Sequence, residues 1–157
     1  MRVKMEIRSF EDADAEEVAR IRAATITQLT EFYDRAALET WAGSITAEDF
    51  KRSASEYHRF VAVEDGKILG YGDWKPGSNE FAGIYIDPDA QGRGAGSALF
   101  ERIEQDARTA GAPRLWANAT KNAQGFYERH GFMEEGEGYY EAGDYRIRTL
   151  MMGKRLS

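Results

Sequence analysis

The chain has 157 residues, a formal net charge of −6 and no cysteine. This length predicts one domain over residues 1–157 with its own hydrophobic core. The lack of cysteine excludes disulfides, thiolate metal sites and a cysteine nucleophile, and it favours a cytoplasmic protein. Scattered basic residues argue against a nucleic-acid partner, and the absence of a long apolar run argues against a membrane span. Residues 1–10 lack the apolar segment of a secretory signal.

The chain begins with a predicted strand and a predicted long helix. Val3–Arg8 alternates between polar and apolar residues, as a strand does. Ser9 and Asp12 are candidate N-caps for a helix that continues to about Leu29. These elements would place an amphipathic helix directly after the first strand.

Two short helices and a hairpin are predicted next. The helices are Asp34–Trp41 and Thr46–Ser55, and the second opens with the sequence of a capping box. Phe60–Val63 and Ile68–Trp74 are then predicted strands. The Asp65-Gly66 dipeptide between them is typical of a two-residue hairpin turn.

The second half alternates strands and helices. After the predicted strand Glu80–Asp87 and a glycine-rich helix, the pattern predicts a strand over Arg114–Ala119 and a helix over Asn122–His130. Phe132–Glu135 is predicted as a strand edge, the region around Tyr139–Tyr145 as a late hairpin turn, and Tyr145–Met152 as the closing strand. Hairpins followed by strand–helix–strand units predict an α/β fold with a mixed sheet and helices on both faces.

A glycine-rich loop follows the strand that ends near Asp87. Gly92, Gly94 and Gly96 recur at every second position, with Arg93 between two of them. Glycines there allow a ligand to approach the backbone, and the N-terminus of the following helix favours an anion. The loop therefore predicts a site for a pyrophosphate-bearing cofactor. Ser97 stands where a nicotinamide-binding fingerprint needs its third glycine, and no Gly-Lys-Ser/Thr sequence completes a P-loop.

Three motifs resemble the GCN5-related N-acetyltransferases, the GNAT superfamily. The run Gln91-Gly92-Arg93-Gly94-Ala95-Gly96 fills that family's acetyl-CoA loop, Gln/Arg-x-x-Gly-x-Gly/Ala. The segment Ile84–Pro88 is similar to its Leu-Tyr-Val-x-Pro lead-in, and Phe126–Phe132 is similar to its Phe-Tyr-x-x-x-Gly-Phe box. The resemblance covers most of the chain and is loosest between Ala24 and Tyr57.

The resemblance implies acetyl-CoA as co-substrate, no metal, and a mostly antiparallel sheet whose middle strands splay apart. The pantetheine arm would pair with the backbone of one splayed strand, a backbone N–H near Ile86 would polarise the thioester, and the loop amides would bind the pyrophosphate. The cofactor-binding residues carried over in this way are Ile84, Tyr85, Ile86, Gln91, Gly92, Arg93, Gly94, Ala95, Gly96, Ser97 and Asn122.

The same resemblance assigns two side chains to proton transfer. Tyr127 would protonate the departing thiolate, and Glu80, at the start of its strand, would take the amine proton through water. Asp73 is the reserve base, and water alone remains an alternative. One position departs from the family pattern: Thr120 stands where Asn is frequent, seven residues before Tyr127, with Asn118 and Asn122 two residues to either side.

The acceptor and two other classes of function stay open at this stage. The expected acceptor is an amine of a small molecule or a protein, in a pocket built from aromatic residues and nearby carboxylates. The alternatives are a non-catalytic sensor of acetyl-CoA, a transferase for another acyl-CoA, or one with an oxygen acceptor. A homodimer is also open, because exposed aromatics often pack at dimer seams. The candidate aromatics are Tyr33, Trp41, Trp74, Tyr139, Tyr140 and Tyr145, and for any one of them packing across strands or at a dimer seam is the favoured interpretation.

Overall fold

The computed structural model describes residues 4–157. Its strands are β1 (Glu6–Ser9), β2 (His58–Glu64), β3 (Lys67–Lys75), β4 (Glu80–Ile86), β5 (Arg114–Ala119), β6 (Met133–Ala142) and β7 (Tyr145–Arg155). Its helices are α1 (Ala15–Thr27), α2 (Arg35–Ala42), α3 (Ala47–Arg52), α4 (Ala95–Thr109) and α5 (Gln124–Arg129). Short 3₁₀ turns at Asp12–Asp14 and Pro88–Ala90 precede α1 and the glycine-rich loop.

The seven strands form one mixed sheet in the order β1-β2-β3-β4-β5-β7-β6. Every neighbouring pair is antiparallel except β4 and β5, which are parallel. In the described part of the chain these two strands have one register pair, Glu80 with Trp116. The fold class predicted from the sequence, a mostly antiparallel sheet with splayed middle strands, is therefore confirmed.

A bulge in β4 accompanies the divergence of β4 from β5. Trp74 of β3 pairs with Phe81, whereas Asp73 pairs with Gly83, so Ala82 is an extra residue in β4. A bulge bends its strand and increases the local twist. Gly83 has φ 143°, a conformation that side chains rarely tolerate. Beyond this point β4 keeps its pairing with β3 on one edge only.

Helices cover both faces of the sheet. On one face, α4 buries Leu99, Ile103 and Ala107, which recur every fourth residue, together with aromatic residues of β4 and α5. Burial of such a leucine or isoleucine contributes about 1.5–3 kcal/mol. On the other face, α1 and α3 pack against β2 and β3, and α2 packs against β6 and β7.

Several predicted boundaries change in the structure. The first strand is Glu6–Ser9, and residue Val3 of its prediction lies outside the described residues. The long helix ends at Thr27, two residues before the predicted end at Leu29. The last two strands are longer than predicted, and their hairpin turn consists of Gly143 and Asp144 alone.

The capping of α1 differs from the prediction. Neither Ser9 nor Asp12 caps the helix; Asp14 stabilises the turn instead. Its carboxylate accepts two bonds from Arg8, at 2.8 and 3.0 Å, and one from the Glu11 N–H at 2.8 Å. The bond from Arg8 is the main cause that lowers the pKa of Asp14, which is buried. Asp14, whose three hydrogen bonds offset the cost of its burial, therefore stabilises the start of α1 in place of Ser9 and Asp12.

We expect Asp14→Asn to destabilise the fold by about 1–2 kcal/mol at pH 7, because charge-assisted bonds are lost from a buried position. Because folding lowers the pKa of Asp14, its contribution is complete above the ordinary aspartate pKa of about 4 and is lost as the pH falls further. Urea unfolding at pH 7 and pH 3 should show the difference between wild type and variant shrinking at pH 3. Asp12→Asn, in the same turn but exposed, is the matched control; an equal effect of both variants would contradict the assignment.

Candidate functional site

The glycine-rich loop leads directly into the N-terminus of α4. Gly92 and Gly94 have φ of 82° and 83°, and a Cβ on either would meet no atom within 4 Å. The first hydrogen bond within the helix runs from the Ala98 N–H to the Gly94 carbonyl at 3.1 Å. The preceding N–H groups of Ala95, Gly96 and Ser97 are thus available to a ligand. An exposed, open loop with these donors suits an anionic group.

Gly96 serves a different purpose from the other two glycines. A Cβ on Gly96 would lie 3.4 Å from the Phe126 ring, so its size sets how closely α5 approaches α4. Ser97 Oγ lies 3.4 Å from His130 Nε2 at the end of α5. Burial lowers the pKa of His130, which stacks between Phe100 and Phe126. The first turn of α4 is therefore packed against α5, whereas the loop before it is exposed.

Charged side chains position the two ends of the loop. Arg20 of α1 donates to the buried carboxylate of Asp87 at 2.6 Å, just before the loop. Arg93, within the loop, is half-exposed and donates to Glu64 at 3.3 Å. The Arg93 guanidinium predicted to face an anion is therefore paired with a carboxylate, although its exposure leaves it within reach of solvent.

The residues Ile84, Tyr85 and Ile86 place two apolar side chains on one face of the sheet and one aromatic on the other. Ile84 and Ile86 pack on the core formed with α4. Tyr85 stacks on Tyr71 on the opposite face, with ring centroids 5.3 Å apart. Their backbone bonds β3 on one side, and beyond Glu80 β4 has no register pair with β5 among residues 4–157. An extended ligand could pair with this open edge.

A cavity of about 460 Å³ lies on the face of the sheet covered by α1, α2 and α3. It extends from Arg22 and Trp41 at the helices to Glu80 and Ala82 at the bulge of β4. This volume is in the range of small-molecule sites. Its polar lining includes Asp49, Arg52, Ser53, Glu56, Tyr57, Arg59, Asp73, Tyr85, Asn118, Thr120, Tyr140 and Thr149.

Glu80 is a half-buried carboxylate in the wall of this cavity. Burial raises the pKa of Glu80, and the more distant Lys75 opposes that shift. No basic side chain of the described residues lies within 4.0 Å of it. A carboxylate that has a raised pKa and no ion pair is suited to exchange protons with a ligand.

Asp73, the reserve base, is occupied by a structural contact. It is buried and accepts a bond from Arg59 Nε at 2.7 Å, across the register pair that joins β2 and β3. Burial raises the pKa of Asp73 and the charge of Arg59 lowers it. The geometry therefore favours Glu80 over Asp73 as the group that meets an amine.

Tyr127 is buried on the other face of the sheet, at the start of the gap between β4 and β5. Its ring packs against Phe81 and Phe132, with centroids 5.5 and 5.1 Å away. Burial raises the pKa of Tyr127 well above the ordinary value, and the charges of Tyr85, Asp73 and Glu80 act in the same direction. Its phenol thus stays protonated at neutral pH and remains available as a donor.

The three polar residues near the end of β5 take different positions. Thr120 lines the cavity and donates to the Asn122 side chain at 2.8 Å. Asn118 also lines the cavity and accepts from Thr149 Oγ1 at 3.0 Å. Asn122 itself is exposed and is not part of the cavity wall. At this edge, Thr120 and Asn118 are closer to the cavity than the predicted Asn122.

Only part of the predicted aromatic lining faces the cavity. Trp41 and Tyr140 do, with ring centroids 5.9 Å apart. Trp74 is wrong as a lining residue: it is buried on the opposite face, where its indole donates to Asp106 at 2.7 Å. Tyr139 and Tyr145 are exposed on the β6–β7 hairpin.

The sequence reasoning missed two arginines in the cavity wall, Arg22 and Arg59. The sequence does contain a pattern that indicates a buried Arg22. Val18, Arg22 and Ile26 are spaced four residues apart, so the charged side chain lies in an apolar row on one face of the helix. All three are buried. Arg59 likewise alternates with Val61 and Val63, although it lies one residue before the predicted start of that strand at Phe60. A charged residue in an inward-facing row indicates a buried polar site.

The part of the chain that the structure describes contains neither a membrane-spanning helix nor a metal cluster. None of its helices has both the length and the apolar character needed to cross a bilayer. Within residues 4–157, no group of three or more His, Asp or Glu side chains is arranged to hold a metal ion. His58 lies 2.5 Å from the Asp106 carboxylate, against the buried Trp74, and does not line the cavity.

Residues 15–156 match the family model described as an acetyltransferase (GNAT) domain. An acetyltransferase from Yersinia enterocolitica is 29% identical over 159 residues, which cover 97% of this chain and 96% of that protein. An amino-acid acetyltransferase from Shewanella oneidensis is 28% identical over 125 residues. That match covers 76% of this chain but spans only 28% of the length of the Shewanella protein.

Solved structures share the whole architecture. A GCN5-related N-acetyltransferase from Rhodopseudomonas palustris superposes with a TM-score of 0.90 and 26% identity, covering 99% of this chain and 98% of that one. The PaiA N-acetyltransferase of Thermoplasma acidophilum, solved in complex with coenzyme A, superposes with a TM-score of 0.80. At 19% identity over 97% of this chain and 99% of that chain, it shows the common fold.

Proposed function

This chain belongs to the GNAT acetyltransferase family, and on that premise we propose that it moves an acetyl group from acetyl-CoA directly to a primary amine. The acceptor would be a small molecule or a protein. The open edge of β4, between the glycine-rich loop and the cavity, is the observation that carries the proposal. An extended thioester paired there would have its pyrophosphate at α4 and its acetyl end at the cavity.

Groups of this chain would bind the cofactor, polarise the thioester and carry out both proton transfers. The N–H groups of Ala95, Gly96 and Ser97 would bind the pyrophosphate, and the backbone near Ile86 would polarise the thioester. Glu80 would take the proton of the amine, directly or through one water molecule. Tyr127, whose pKa is raised by burial, would donate a proton to the departing thiolate. Direct transfer needs no covalent acyl-enzyme, and this chain has no cysteine to form a thioester.

The test of the proposed function combines binding with turnover. Calorimetry with acetyl-CoA and CoA should show saturable binding, and a panel of amines should release free thiol in proportion to the amine added. Binding without thiol release on any amine would favour the acetyl-CoA sensor. Faster thiol release from longer acyl-CoA donors, or with alcohols as acceptors, would favour the other transferase alternatives. No binding at all would refute the assignment.

We expect Glu80→Gln to lower kcat/KM about 10–100-fold near pH 7, because the amine then loses its proton to water alone. Since burial raises the pKa of Glu80, the wild-type pH profile should have an acid limb above the ordinary glutamate pKa. Along this limb the activity falls as the pH is lowered, because Glu80 becomes protonated and can no longer accept the amine proton. The limb should be absent from the variant, and the two profiles should converge at high pH, where the amine is already neutral.

Glu56→Gln is the matched control, since Glu56 lines the same cavity but is exposed at its rim. This variant should keep the wild-type profile and the wild-type CoA affinity. A Glu80→Gln enzyme with an unchanged acid limb would assign the proton transfer to another group.

A further inference from the structure

Arg22 is a buried cation in the wall of the acceptor cavity. It lies in the middle of α1, between the buried Val18 and Ile26, and its residue exposure is 2%. It lines the cavity together with Trp41 and Tyr85. Its guanidinium has five N–H donors and no acceptor, so burial leaves it dependent on the partners that surround it.

The partners of Arg22 within the described chain are neutral. Nη1 donates to the carbonyls of Trp41 and Ala42 at 3.2 and 3.4 Å, and Nη2 to Ser44 Oγ at 3.4 Å. These bonds are long, and no carboxylate of residues 4–157 lies within 4.0 Å of the guanidinium. The carbonyls at the end of α2 favour a cation, but they do not neutralise it. Arg22 therefore lacks the counter-ion that a buried charge requires.

The nearest buried carboxylate on this side of the sheet already has a partner. Asp73 accepts the bond from Arg59 Nε at 2.7 Å, and both side chains are buried. Burial raises the pKa of Asp73, and the charges of Arg59 and Arg22 both oppose that shift. Arg59 thus occupies this carboxylate, and Arg22 is left as a buried cation in the cavity wall without an ion pair in the described part of the chain.

Another part of the cavity wall carries a negative charge. Glu80 stands at the bulge of β4, without an ion pair among the described residues. A ligand that bears a cationic amine at one end and an anion at the other would neutralise both groups. Planar, bidentate binding of carboxylates is the interaction that a guanidinium forms best.

We propose that Arg22 binds a carboxylate of the acceptor, so that the acceptors of this enzyme are amino carboxylates. The inference rests on the proposed function, because the amine of the acceptor must face Glu80 and the thioester. Arg22 is then a specificity residue: it selects the acceptor and takes no part in the transfer of the acetyl group.

The test compares amino acids with the amines left when their carboxylate is removed, such as phenylalanine with phenethylamine and methionine with 3-methylthiopropylamine. A series from glycine through β-alanine to 5-aminovalerate varies the distance between amine and carboxylate and so tests which spacing the cavity accepts. The readout is kcat/KM from thiol release. Wild type should prefer the carboxylated member, and Arg22→Gln should reduce that preference by about 10–100-fold, chiefly through KM. The carboxylated and decarboxylated amines also differ in intrinsic reactivity. That difference is the same for both enzymes, so it cancels when the preference of wild type is divided by the preference of Arg22→Gln.

Arg102→Gln is the matched control. Arg102 is an exposed arginine of α4 that packs over the Phe60 ring on the opposite face of the sheet, outside the cavity wall, so the preference should remain as in wild type. Arg22→Lys keeps the charge without the planar fork and should lie between wild type and Arg22→Gln. It also replaces Arg22→Gln if that variant fails to fold. CoA affinity should be the same in all of these enzymes.

A binding measurement keeps the inference testable without turnover. N-acetylphenylalanine should raise the Tm of wild type more than N-acetylphenethylamine does, and Arg22→Gln should abolish the difference. Equal use of both members of each pair by wild type, or an unchanged preference in Arg22→Gln, would overturn the role of Arg22 and leave the transferase intact. Absence of thiol release with every amine would instead contradict the proposed function, and the Tm difference would still decide the role of Arg22.

Discussion

Glutamate in place of Gly94 should weaken the binding of CoA by at least about 100-fold. A carboxylate at the N-cap of α4 would repel the pyrophosphate, and a side chain would fill the space through which it approaches the backbone. At φ 83° the new residue would also be strained, by about 1–2 kcal/mol. That cost is small enough for the fold to persist. Calorimetry with CoA gives the affinity, and circular dichroism gives the fold.

Two further variants separate charge from strain. Gly94→Ala introduces the strain alone and should lower the affinity much less. Gly111→Glu places the same residue at the same φ, 82°, beyond the other end of α4, where a Cβ also meets nothing within 4 Å. It should bind CoA as wild type does. A folded Gly94→Glu protein with unchanged CoA affinity would remove the glycine loop from the binding site.

Phenylalanine in place of Tyr127 should lower turnover about 10–1000-fold with little change in CoA affinity, because only the proton donor is removed. The ring contacts with Phe81 and Phe132 remain, so the stability of the fold should be close to that of wild type. Burial raises the pKa of Tyr127, so the phenol should not contribute an alkaline limb to the wild-type pH profile. Steady-state thiol release and calorimetry together measure both quantities.

Tyr139→Phe is the control for this substitution, since Tyr139 is half-exposed on β6 and lies outside the cavity wall. It should be indistinguishable from wild type. If Tyr127→Phe turned over normally, the thiolate would have to receive its proton from water or from a different side chain, and Tyr127 would be a packing residue only.

The parts of the fold predicted best from the sequence are those set by neighbouring residues. The β2–β3 turn at Asp65-Gly66 and the capping box at Thr46 depend on two to four consecutive residues, and both are present. The length of β6 depends instead on its partner. Gly136 and Gly138 weaken the local strand pattern, yet pairing with β7 extends the strand to Ala142. Distant pairing overrides local propensity in such cases.

The candidate site likewise has a part that neighbouring residues determine and a part that depends on distant pairing. The glycine loop is contiguous in the chain, so its spacing alone predicts a backbone that can approach an anion. The cavity unites residues of α1, α2, α3 and six strands, and the identity of its charged residues depends on register. Asp73 illustrates this: the sequence offers it as a base, whereas its position opposite Arg59 in the sheet turns it into half of an ion pair. The bulge at Ala82, which aims Glu80 into the cavity wall, is likewise a property of two strands together.

The single pairing between β4 and β5 has a mechanical consequence. Four strands lie on one side of this seam and three on the other, and among residues 4–157 the register pair of Glu80 with Trp116 is the one strand pairing that joins the two parts. Elsewhere along the seam the two parts are held by side chains such as those of Phe81, Tyr127 and Phe132. A ligand that pairs with β4 therefore acts as a missing strand. The stiffness of the protein across its middle depends on whether that ligand is bound.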